Sequence, residues 1–106
     1  MDNQELKIKF EEIETQIADA KAKNFDAKDL LKMKYNLLKV GYARIRREVS
    51  TPQFDKNPKK YSTLLSYLKT MRETAQEAGI PCGEVDILEE GVKEEMTKNN
   101  LAWLLN

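Results

Sequence analysis

Residues 26–49 read DAKDLLKMKYNLLKVGYARIRREV, and this stretch decides the fold. Its apolar residues Leu31, Tyr35, Leu38, Tyr42, Ile45 and Val49 recur at alternating steps of four and three. That period lays one continuous seam along an α-helix, whereas a strand would alternate at every second residue. A second row, Leu30, Met33, Leu37 and Val40, runs beside the first. Two adjacent rows make a face wide enough to touch more than one neighbour, so this helix is expected at the centre of the fold. Asp26 is placed to cap its N-terminus, with Asp29 at the third helical position in a box-like arrangement. Phe25 and Leu30 flank that cap in the positions of a hydrophobic staple. Gly41 costs about 1 kcal/mol of helix propensity, which predicts a close approach of another element to its backbone. Ser50-Thr51-Pro52 stops the helix, because the residue before a proline is pushed out of the helical region.

Upstream, Leu6, Phe10, Ile13, Ile17 and Ala20 repeat the same steps and predict a helix over 3–23. Ile8 lies beside that seam and would widen its buried face, and Asn24 is suited to a left-handed cap at the end. Downstream, Asn57 as N-cap and Pro58 at the first helical position open a helix over 58–78. It carries Tyr61, Leu64, Leu68, Met71, Ala75 and Ala78, with Gly79 just past its end. A turn at Ile80-Pro81-Cys82-Gly83 leads to a helix over 83–98 with Val85, Leu88, Val92 and Met96. Asn99-Asn100 interrupts it, and a short apolar segment, 101–105, follows.

With no alternating run anywhere, the chain reads as a single all-α domain, 1–106. Its expected architecture is a long antiparallel helical hairpin, 3–23 and 26–49, about 30 and 35 Å long. Two shorter helices fold back on it to give an up-down four-helix bundle. The hairpin seams are regular enough that assembly into a homo-oligomer is a further possibility.

Composition removes most catalytic chemistry. The 106 residues contain no histidine, and so neither the commonest general base nor the usual zinc and di-iron ligand sets. Cys82 is the single cysteine. Without a base partner it reads as structural, and without a disulfide the chain reads as intracellular, hence cytoplasmic. The four glycines never fall in the order of a phosphate-binding loop. Two carboxylate groups, Glu11-Glu12-Glu14 and Glu89-Glu90-Glu94-Glu95, occupy polar helical positions, where acids are ordinarily just solvated. No enzyme, cofactor or metal is expected. The polar opening Met1-Asp2-Asn3-Gln4-Glu5-Leu6 is unlike a secretory signal, and no apolar run approaches the roughly 18 residues of a membrane span.

The formal net charge is zero, yet it hides a segregation. Residues 26–60 carry ten Lys or Arg against four acids, whereas 1–25 and 80–106 each have more acids than bases. Arg44, Arg46 and Arg47 close the second helix, while Lys56, Lys59 and Lys60 bracket the start of the third across a short loop. Arginines at a helix C-terminus complement its dipole, but lysines in a first turn oppose it. The six cations are therefore a candidate anion-binding corner, with Tyr61 and Tyr42 as candidate stacking partners. The plainer explanation is solubilising charge, partly neutralised by Glu48, Asp55 and the acidic helices. Trp103 in the tail is either a plug packed on the bundle or an apolar anchor for a partner's groove. These features favour a small non-catalytic protein-interaction module, such as a regulator, adaptor or inhibitor. Nucleic-acid binding at the basic corner and structural self-assembly are the alternatives.

Overall fold

The computed structural model describes residues 2–50, 58–101 and 103. Within them lie four helices, α1 (Asn3–Ala22), α2 (Lys28–Ser50), α3 (Pro58–Ala78) and α4 (Gly83–Lys98), and no strand. The all-α bundle expected from the periodicity is present.

Side-chain bonds fix an up-down order. Arg44 donates to Asn3 Oδ1, and Lys34 reaches Glu14 at 3.6 Å, so α2 runs back along α1. Lys60 meets Glu48 at 3.4 Å, and Arg72 holds Asp86 and Glu89 at 2.5 Å each, which reverses α3 on α2 and α4 on α3. The assembly is an elongated slab, 48 × 28 × 19 Å.

Three helices end in the same way. Asn24, Gly79 and Asn100 have φ of 59°, 75° and 60°. The amide of each following residue donates back to the carbonyl five residues earlier: Phe25 to Ala20, Ile80 to Ala75 and Leu101 to Met96. This is the Schellman closure that a left-handed residue allows. In two of the three the following side chain then packs inward. Phe25 instead stands 67% exposed, so the turn into α2 is held by backbone bonds and by Asp26 Oδ1, which accepts from the Lys28 amide at 3.0 Å, rather than by the staple.

α2 is central, as its double apolar row predicts, but its deepest partner is α3. α3 spans 21 residues against the 20 of α1, so it is a full-length member of the bundle rather than a short one. Tyr35, Leu38, Tyr42 and Val49 of α2 share the main core with Tyr61, Leu64, Leu68, Met71 and Ala75 of α3. Val85, Val92 and Met96 of α4 cover one side of this pair. A smaller cluster, Ile13, Ile17, Ala20, Ala27, Leu31 and Ala78, fastens the C-terminal half of α1 at the other end. Ile8, Met33 and Val40 face outward, which corrects the wider buried faces expected for α1 and α2. A helix with two apolar rows buries both only when neighbours exist on both sides, and α1 covers the second row incompletely.

Candidate functional site

Gly41 shows how α3 lies on α2. A Cβ placed there would sit 2.7–2.9 Å from the ring of Tyr67, so the glycine lets that ring rest on the α2 backbone. From Tyr67 toward the N-terminus of α3, the side facing α1 carries Ser66 and Thr63, and toward the C-terminus Thr70. These small hydroxyl side chains offer α1 little apolar surface. Thr63 and Thr70 satisfy themselves on their own helix, donating to the Lys59 and Ser66 carbonyls at 2.9 and 3.0 Å. α1 closes on α3 near its own C-terminal end, where Lys21 binds Glu77 at 2.9 Å.

The consequence is a trough between the N-terminal halves of α1 and α3, about 720 Å³ in volume. Leu6 and Phe10 of α1, Leu37, Leu38 and Ile45 of α2, and Tyr67 give it an apolar floor. Its rim is charged and polarised. Lys7, Arg44, Glu48 and Lys60 stand at the open end, and Glu11 and Glu14 at the end where α1 closes on the bundle.

The basic corner takes a different form from the cluster suggested by adjacency in sequence. Successive residues on a helix point about 100° apart, so Arg44, Arg46 and Arg47 leave α2 in different directions. Arg44 turns to α1 and lines the trough. Arg46 turns to α4 and donates to Glu95 Oε2 at 2.6 Å, an ion pair with both side chains largely shielded. Arg47 and Lys59 are exposed, and Lys60 pairs with Glu48. Lys56 lies outside the described residues, as do Asn57, Asp55, Leu104 and Leu105.

Tyr61 and Tyr42 are both buried, which corrects their candidacy as stacking partners. Both hydroxyls are pushed above the ordinary tyrosine value by burial. Glu95 adds to the shift at Tyr61, and Arg46 opposes it at Tyr42. Tyr35 is raised in the same way by burial, reinforced by Glu84, whose carboxylate its hydroxyl approaches at 3.5 Å.

Among the carboxylates, Glu89 is held below the usual range by the Lys93 ammonium. Burial opposes that shift and Arg72 assists it. No group of three metal-ligating acids or thiols occurs among the described residues. Cys82 is half-buried at the N-cap of α4, with no side-chain capping bond. The tail divides: Leu101 is buried in the main core, and Trp103 is 61% exposed.

No family model, curated protein or solved structure matches this chain.

The trough was missed by reading apolar rows alone. Its signal was the polar row Thr63, Ser66 and Thr70, spaced by three and four along α3 where a fully enclosed helix would carry apolar residues.

Proposed function

We propose that this chain is a small, non-catalytic, intracellular helical module that regulates, adapts or inhibits a protein partner. The trough carries the reading. It combines an apolar floor with a charged rim, the usual composition of a protein-binding surface. A chain without histidine, whose acids sit on helix faces, is poorly equipped for general acid–base work, which favours binding over catalysis. No described helix is long and apolar enough to cross a membrane.

Nucleic-acid binding is the weaker reading, because phosphate recognition favours a continuous cationic surface. Here Arg46 is turned to Glu95 and Lys60 to Glu48. Assembly through the hairpin seam would need a long apolar face left open, and most of that seam is buried in the core, leaving the stretch along the trough.

Titration of labelled single- and double-stranded oligonucleotides at about 50 and about 200 mM salt separates the readings. The protein-module reading expects no binding at the lower salt. It also expects a captured protein partner to be lost on Lys59→Glu with Lys60→Glu, or on Trp103→Ala. Tight, salt-sensitive oligonucleotide binding abolished by Arg47→Glu with Lys59→Glu would replace it.

A further inference from the structure

The two sides of the α2–α3 pair differ in what covers them, and the covered side indicates what the open side accepts. α4 is a 16-residue amphipathic helix. It seats Val85, Leu88, Val92 and Met96, and it places acids against cations of the pair: Glu84 on Lys39 at 3.0 Å, Glu95 on Arg46 at 2.6 Å, and Asp86 and Glu89 on Arg72. The trough repeats this chemistry. It has an apolar floor, and at its open end Lys7 and Arg44 stand beside the Lys60–Glu48 pair, which leaves that end net positive. From Lys60 to Thr70 its α3 wall runs about 15 Å, close to three helical turns.

Resting on the protein-module reading, we infer that the trough is a docking site for one short amphipathic helix of a partner protein. That helix carries apolar residues at steps of three and four. Its flank is acidic where it meets Lys7, Arg44 and Lys60, and basic toward Glu11 and Glu14. Apolar burial supplies the affinity, and the polarised rim fixes the direction in which the helix lies.

The test is selection of displayed random 16-residue peptides on the full chain, with depletion on Ser66→Trp, which fills the trough from an exposed position. Selected peptides are expected to show the three-and-four apolar spacing and an excess of Asp and Glu at one end. Their affinity should fall about tenfold or more for Ser66→Trp and for Lys7→Glu with Arg44→Glu, but not for Ile87→Ala on the far side of α4. Thr70→Trp gives a second blocked form if the first does not fold, as judged by circular dichroism. Amide shifts in the unmodified chain should concentrate at Leu6, Ile45 and Tyr67. Peptides without helical spacing, binding unaffected by both blocked forms, or failure to select any peptide would overturn the inference. Peptides lost on Trp103→Ala but retained by Ser66→Trp would remove the trough while leaving the protein-module reading intact. Concentration-dependent dimerisation abolished by Ser66→Trp would assign the trough to a second copy and overturn the partner claim.

Discussion

The α2–α3 pair is flanked by one helix on each side, and the two flanks are built differently. On the α4 side, large side chains such as Tyr61, Met71, Val92 and Met96 are fully buried, and acids of α4 bind cations of both central helices. On the α1 side, the C-terminal half of the helix joins a buried cluster with α2 and α3, while its N-terminal half is held to α2 by the Arg44–Asn3 bond and stands off α3 across the trough. The difference comes from one row of α3 side chains. Where α3 presents Leu64, Leu68 and Met71, a helix closes on it. Where it presents Thr63, Ser66 and Thr70, none does.

The strongest way to break this contrast is by truncation. Met71→Ala should cost about 2–5 kcal/mol, because it empties a fully enclosed site. Leu37→Ala on the trough floor should cost less, about 1–2 kcal/mol, because that side chain is partly exposed. Denaturant midpoints measure both, and equal losses would show that the α1 side is packed as tightly as the other.

Ion pairs provide the next comparison. Arg46→Ala leaves the shielded Glu95 carboxylate without its cation and is expected to cost about 1–3 kcal/mol. Lys60→Ala removes a half-exposed pair and should change stability by less than about 0.5 kcal/mol. A large effect of Lys60→Ala would mean that the rim of the trough is structural.

Acid should loosen the α4 side through Glu89. Its folded value lies below the ordinary one, so its contribution is complete above the usual carboxylate range and is lost as pH falls through the folded value. Glu89→Gln is expected to lower stability by about 0.5–1 kcal/mol near neutrality, with the gap to the parent narrowing as pH falls through the folded value. Thermal melts across pH check this, and a gap that persists in acid would assign the loss to packing instead.

At Gly41 the expected effect falls on a neighbouring side chain more than on stability. Alanine there gains about 1 kcal/mol of helix propensity but forces the Tyr67 ring aside, so stability should change by less than about 1 kcal/mol. The aromatic resonances of Tyr67 should nonetheless move. Unchanged resonances would show that the ring does not rest on the α2 backbone.

Most of the fold was legible because its signals are local. The four-and-three seams, Asp26 as a cap, Asn24 and Gly79 in left-handed positions and Gly41 as a contact point each follow from near neighbours in sequence. What was not legible depends on which helix faces which. Met33 and Val40 continue an apolar row, yet they are exposed because no helix arrives to cover them. Arg44 and Arg46 are two residues apart and bind opposite flanks, so a cluster in sequence became two separate interactions in space. Tyr61 adjoins Lys59 and Lys60 in sequence, yet it points inward because it begins the α3 seam. The candidate site therefore kept Arg44 and Lys60, lost the tyrosines, and gained Lys7 with the threonine row.

The pairing order of the helices also sets a pace. The main interfaces join α1 to α2, α2 to α3 and α3 to α4, each to its neighbour in the chain. Every such hairpin closes over a short connection, so little loop entropy must be lost before contacts form. Topologies of this kind fold in roughly microseconds to milliseconds. During synthesis, then, each apolar seam waits for the next helix to emerge rather than for folding itself, because translation at about 5–20 residues per second is the slower step.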